Sequence, residues 1–393
     1  MKEIRYRNFK DINGMLNIFT HVFGLKAMCK AKFVLGKARG KNYKKSKSDE
    51  LNDYLSQGLP VACCLETDQR KMWGESFLNL INQSNDELHW KMIYEFYHSD
   101  MKMIKDFESE ICDGPIVLCV GRNEIQRIKQ FFEHYHSIGV KNFIFLDNDS
   151  NDGTREYLMQ QPDTRVYSTS VQYTAQRKSA WQNRMVAECG VDRWYLYVDA
   201  DEFFWFPHAS EISISEYVDS LQNQRIYGIK TIMIEMYPKG VIGSDEYEKK
   251  DFIEQYRYYD GDNDSYTYNP DLNQVCGGVL ARLLGQGDLL RTKTPLYYHT
   301  KDRFLIGSHH IYPLYDDIAF PFGGLLKHYK FLPGEADKIN EAIKNGNYAN
   351  NSYMYKKYVK FYEGDGVCAF CDFSKEWNND STNEFKIIKD LFR

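Results

Sequence analysis

The chain has 393 residues, 15% of them aromatic, with a net charge of −5. That length exceeds one ordinary domain and allows a large core, and no apolar run approaches the ~18 residues needed to span a bilayer. Charge is segregated, with thirteen Lys or Arg against two Asp or Glu in residues 1–47; the remainder is acidic and carries no nucleic-acid motif, so a nucleic-acid partner is excluded.

Met15, Ile18, Phe19 and Val22 begin an apolar stripe, but Lys26 and Lys30 fall on its continuation, which ends any interfacial helix after two turns. Lys37 to Lys47 is lysine-rich and leaves open a peripheral contact with an anionic membrane face. Residues 48–112 read as helices: after Asp86, a suitable N-cap, Leu88, Met92, Ile93, Phe96, Tyr97 and Ile104 recur at helical spacing. From Pro115 the pattern changes to a short apolar strand (Ile116 to Val120), a helix (Ile125, Ile128, Phe132, Tyr135) and a second short strand (Asn142 to Leu146). Short, fully apolar strands joined by a helix make a parallel unit, whose ligands bind at the carboxyl ends of the strands. A helix over Ala175 to Cys189 leads to a third strand, Trp194 to Val198, and a further strand covers Ile226 to Met236. Glu246 to Asn273 is polar, with Tyr256, Tyr258, Tyr259, Tyr266 and Tyr268, and reads as a lid whose tyrosines serve ordinary packing one by one or, as a cluster, stack on a ligand. After Pro333 the pattern is helical again. Nine cysteines form no disulfide framework, which points to a reduced, cytoplasmic setting. Cys368 and Cys371 make a lone C-x-x-C, lacking the further ligands of a zinc site and readable as two buried thiols.

Two acidic stretches follow strands of this sheet. In Leu146 to Thr154 (LDNDSNDGT), counting from Asp147 places Asp152 at position 6 and Leu158 at position 12, where a calcium EF-hand needs Gly and Glu. Calcium is excluded, and the loop reads as the wall of a ligand pocket or as a helix-capping turn. Asp199 and Asp201 leave the third strand at i, i+2 spacing, within reach of one hard cation that completes its shell with phosphate oxygens. The first strand ends in Val120-Gly121-Arg122-Asn123-Glu124, neither a dinucleotide fingerprint nor a P-loop.

The ordered blocks VGRNE, LDNDSNDGT, QRKSAWQNR, WYLYVDADEFF, KTPL, GSHH and LLKHYKF resemble family 2 glycosyltransferases of the GT-A fold, in the bacterial branch with DNDSNDGT-like and DADEF-like motifs. The resemblance implies an α/β fold with a Rossmann-like, mostly parallel mixed sheet flanked by helices. The GT-A domain would span residues 113–333, between a basic segment with a helical appendage (1–112) and a helical extension (334–393). It implies transfer of a sugar from a nucleotide-diphosphate donor, a UDP-sugar in the first instance, to a hydroxyl of a glycan or lipid-linked acceptor, with inversion, in cell-surface polysaccharide synthesis. Asp199, Asp201 and His328 would hold Mn2+ or Mg2+. Asn123, Glu124, Asp147 and Asp149 would meet the nucleoside, and Arg177, Asp199 and Lys330 the phosphates. Of His309 and His310, adjacent on an extended segment, at most one faces the site. An inverting reaction also needs a carboxylate base, for which Asp317 and Glu235 are preferred over Asp302 and Asp316. Competing readings are a sugar-nucleotide pyrophosphorylase, whose Gly-rich loop VGRNE does not supply, and a non-catalytic carbohydrate- or membrane-binding protein on a transferase scaffold.

Overall fold

The computed structural model describes residues 92, 95, 96, 99–244, 251–261, 265–300, 303–307, 309–312, 318–346, 349–363 and 366–392. The chain divides into two compact units, Met1–Ser99 and Asp100–Arg393. In the first, Met92, Glu95 and Phe96 are helical; the apolar stripe from Met15 and the lysine-rich Lys37 to Lys47 lie outside the described residues.

The second unit starts with strand β1 (Lys102–Lys105). Ile104, counted above in a helical pattern, belongs to this strand instead: it is 41% exposed, and its backbone extends the edge of the sheet. Then follow β2 (Ile116–Gly121), α1 (Ile125–Ser137), β3 (Asn142–Asp147), α2 (Thr154–Met159), β4 (Thr164–Ser168), α3 (Ala175–Cys189) and β5 (Arg193–Tyr197). β3 is buried at every position, and β2 at all but Gly121, because both faces of a parallel sheet are covered by helices. After β6 (Glu202–Trp205) and α4 (Ile214–Asn223), the chain forms β7 (Gly228–Glu235), α5 (Phe252–Gln255), β8 (Tyr258–Asp260), β9 (Tyr266–Asn269), β10 (Gln274–Gly277) and α6 (Gly278–Leu284). Strands β11 (Thr292–His299), β12 (Phe304–Leu305), β13 (Ile311–Tyr312) and β14 (Phe322–His328) are followed by α7 (Glu335–Asn345), α8 (Ala349–Tyr358) and β15 (Ser374–Glu376).

The fold is α/β. Its central sheet has the order β1-β4-β3-β2-β5-β11-β7-β14-β6 and is compatible with a Rossmann-like arrangement. β4, β3, β2 and β5 run parallel, as does the β7–β14 pair. β1, β11 and β6 each run antiparallel to their neighbours. The sheet is thus evenly mixed rather than mostly parallel: β11 returns between β5 and β7, a pairing that local periodicity does not encode. Strand order reverses at β2, which has β3 on one side and β5 on the other. Such a switch opens a crevice at the carboxyl ends of the strands.

The tyrosine-rich segment is no open lid. Tyr256 and Tyr259 are fully buried in the main core, and β8 pairs with β15 near the C-terminus. Of the five tyrosines only Tyr268 is exposed. Six described cysteines are free, and Cys368 is exposed while Cys371 is half-buried, so this pair is not a buried one. Among the described residues no helix is long and apolar enough to cross a membrane.

LDNDSNDGT has a structural task. Asp152 accepts from the backbone N–H of Ile125 at 3.0 Å, and the Thr154 hydroxyl accepts from that of Glu124 at 2.7 Å. These are orphan donors at the start of α1, whose own N-cap residue supplies no side chain. Asn123 completes the stitching: its N–H donates to Ser150 Oγ at 2.9 Å, and its Oδ1 accepts from Asn151 N at 2.9 Å. Gly153 sits at φ +101° just before α2, and a Cβ there would meet nothing closer than 3.7 Å. Gly153→Ala is therefore expected to cost roughly 1–2 kcal/mol through backbone strain alone. Chemical denaturation measures it, and an unchanged midpoint would show that the turn relaxes freely.

Candidate active site

A cleft of about 310 Å³ opens where β2, β3 and β5 end. Asn123, Glu124, Asp149, Asp199, Asp201 and Lys330 all line it, so most of the residues expected there are brought together. Asn123 and Asp149 hold positive φ angles of 57° and 61°, a left-handed backbone unusual outside glycine. Asn148 ties the next loop to this wall, donating to the carbonyls of Thr169 at 3.1 Å and Val171 at 2.9 Å.

The acid pair is embedded among cations. Lys178 Nζ donates to Asp199 Oδ1, and Lys293 Nζ stands 4.0 Å from Asp199 Oδ2 while donating to Glu202. Lys330 Nζ lies 3.1 Å and His328 Nε2 3.3 Å from Asp201 Oδ2. Strand pairing sets this geometry: β14 runs antiparallel to β6 with His328 opposite Glu202, and Tyr329 N donates to Asp201 O at 2.8 Å. Burial works against the charge on Asp199, yet Lys178 and Lys293 outweigh it and hold the carboxyl down at about 2. Asp201 is likewise held well below the ordinary carboxylate range by Lys330 and His328, in spite of burial. Burial also disfavours the His328 imidazolium, but Asp201 and Glu235 raise it to about 9. Deeper in the cleft Arg127 bridges Glu124 at 2.7 Å and Glu335 at 3.1 Å. Burial there lifts the Glu124 carboxyl above its ordinary value, against the pull of Lys338 and Arg127.

Asp147 is not a cleft residue. It has no exposed surface, and its carboxylate is spanned by Arg155, with Nε at 2.7 Å and an Nη at 2.6 Å. Asn148 and Asp149, just beyond the end of β3, line the cavity in its place. Arg177 also misses the lining, and one of its Nη groups donates to Gln172 O at 2.8 Å. The neighbouring Lys178 enters instead. Helical phase gave no signal for it, since every residue of α3 from Lys178 to Ala187 is buried. Glu235 is 2% exposed, bound to Arg291 and 3.6 Å from His328 Nδ1. It is absent from the cleft lining and stands beside His328 instead. His309 Nδ1 donates to Thr292 O at 2.9 Å, away from the lining. Asp302, Asp316 and Asp317 lie outside the described residues.

Asp199, Asp201 and His328 do not form a coordinating triad: among the described residues no three His, Cys, Asp or Glu side chains are placed to hold an ion by themselves. Asp199 is engaged by Lys178 and Lys293, whereas His328 packs on Asp201. The donor chemistry still fits a hard cation. Both ion pairs of Asp201 fall on Oδ2, which leaves Oδ1 clear of them, and Mg2+ is commonly held by one or two carboxylates plus phosphate oxygens. No family model and no curated protein matches this chain.

Two outcomes are expected with no ligand present. Arg155→Ala leaves a fully buried carboxylate with no cation and only the Ser150 N–H, at 3.3 Å, and should cost roughly 3 kcal/mol. Asp147→Asn leaves a partly exposed guanidinium and should cost less; denaturant melts that reverse this order would assign Asp147 another role.

The second outcome concerns pH. Lys327 is 5% exposed, between the rings of Trp205 (5.1 Å) and Trp377 (4.6 Å), and burial lowers it to about 7. The folded state therefore binds fewer protons at Lys327 than the unfolded chain between about 7 and 10.5, and this term raises stability with pH. His328, raised from 6.5 to about 9, has the opposite sign: its contribution is complete below 6.5 and is lost as pH climbs through 9. The two slopes oppose each other between pH 7 and 9. Lys327→Met should unmask a fall in stability over that window and His328→Gln a rise. Identical profiles for both variants would contradict the assignment.

Proposed function

We propose that the chain is a metal-dependent glycosyltransferase with a GT-A arrangement, moving a sugar from a nucleoside-diphosphate donor to a hydroxyl of a glycan or lipid-linked acceptor. One observation carries this reading: at the switch point of the parallel strands, a single cleft gathers the Asp199/Asp201 pair with Lys178, Lys330 and Lys338. Paired carboxylates suit a divalent ion, and lysines beside them suit a diphosphate. The cleft wall of Asn123, Asn148 and Asp149 supports the nucleoside end, with polar groups fixed by the stitched loops.

In the reaction, the bond from the anomeric carbon to the diphosphate breaks and the acceptor oxygen takes its place. Charge grows on the departing diphosphate, where Lys178 and Lys330 neutralise it. Asp199 and Asp201 would hold Mn2+ or Mg2+, which would supply Lewis-acid charge to the departing group. His328, braced by Glu235, keeps Asp201 ionised. The proton of the acceptor hydroxyl goes to a carboxylate, with Asp317 retained as the candidate.

A thermal-shift panel of UDP, GDP, CDP and dTDP, each with and without Mn2+, tests the reading. One nucleotide should raise Tm in a metal-dependent manner, and Asp201→Asn should abolish that shift. Equal stabilisation by every nucleotide without metal, or by none with it, counts against the proposal.

A further inference from the structure

Acid motifs suggest a site that waits for a cation, but the acids here are already met by basic side chains. Around Asp199 and Asp201 stand the anions Glu202 and Glu235 and the cations Lys178, Lys293, Lys330 and Arg291, with His328 against Asp201 and Glu235. Five basic side chains face four carboxylates. A divalent ion added alone would bring two further positive charges into a cluster that already holds a basic group for every carboxylate, within reach of two ammonium groups. A diphosphate brings the compensating negative charge.

The cations differ in their freedom. Lys293 is 4% exposed and donates to Glu202, and Arg291 is bound to Glu235; neither lines the cleft. Lys178 and Lys330 do line it, each holding one carboxylate of the acid pair through a flexible four-carbon stem. Resting on the reading of this cleft as a nucleoside-diphosphate site, we propose that Lys178 and Lys330 are exchangeable counter-ions. They cover Asp199 and Asp201 until a diphosphate draws their ammonium groups onto its own oxygens, and only then are the carboxylates free for a divalent ion. The cleft thus takes the anion first or together with its cation, and it binds the bare cation weakly. Both lysines are positioning residues for the metal and binding residues for the phosphates.

Calorimetry on the full chain, stripped of metal with EDTA and dialysed, tests this with inorganic pyrophosphate and with MnCl2 as separate titrants. The wild type should bind pyrophosphate without metal and bind Mn2+ alone only weakly. Lys330→Met should weaken pyrophosphate at least tenfold and tighten Mn2+ alone at least tenfold, and Lys178→Met should do the same. The opposite signs set an exchange apart from simple damage, which would weaken both. Lys330 is the more exposed of the two and carries the test if the Lys178 variant fails to fold, as judged by its melt. Tight Mn2+ binding by the wild type, or lysine variants in which the two affinities fall together, would overturn the exchange while leaving the nucleotide reading intact. A wild type that binds neither pyrophosphate nor any nucleotide, with or without Mn2+, would remove both.

Discussion

Charge compensation at the ends of the parallel strands is the constraint on which this structure turns. Asp199 and Asp201 are carried into a mostly buried position by the apolar strand before them, and carboxylates so placed are tolerable only with partners. The partners come from three separate elements: Lys178 from the first turn of α3, Lys293 from β11, and His328 and Lys330 from the end of β14. Each sits where strand register or helical phase delivers it. The same compensation that permits folding also equips the cleft with mobile positive charge.

A second level of order lies in the loops. The turns after β2 and β3 hold one another through Asn123, Ser150, Asp152 and Thr154, and Asn148 binds the turn after β4. Three neighbouring loops therefore form one hydrogen-bonded wall. A wall of that kind presents a fixed surface to a ligand, and the left-handed backbone at Asn123 and Asp149 is sustained by these bonds.

Much of the first half of the sheet was legible because its signals are local. The strand from Ile116, the helix over Ile125 to Tyr135 and the helix Ala175 to Cys189 follow from runs and periods within a dozen residues. The antiparallel return of β11, the parallel insertion of β14 and the burial of Tyr256 and Tyr259 rest on long-range pairing, which no window of sequence contains. At the site, spacing identified Asp199 and Asp201, and LDNDSNDGT divides between its two readings: Asn148 and Asp149 line the cleft, whereas Asp152 satisfies a backbone N–H and Asp147 binds Arg155; a polar loop looks alike whether its side chains serve a ligand or the chain itself. Arg177 followed from the resemblance, and helical phase could not point to Lys178 beside it, because α3 is buried on every side from Lys178 to Ala187.

The order of the partners along the chain has a consequence for biogenesis. Glu202 precedes its lysine by 91 residues and Asp201 precedes Lys330 by 129. During synthesis Lys178 emerges ahead of Asp199, whereas Glu202 and Asp201 emerge before the lysines that pair with them, and water must screen those two acids until β11 and then β14 have left the ribosome. The segment that completes the cleft is thus among the last to arrive, and a chain stalled before it holds a sheet edge open and leaves Asp201 without Lys330 and His328.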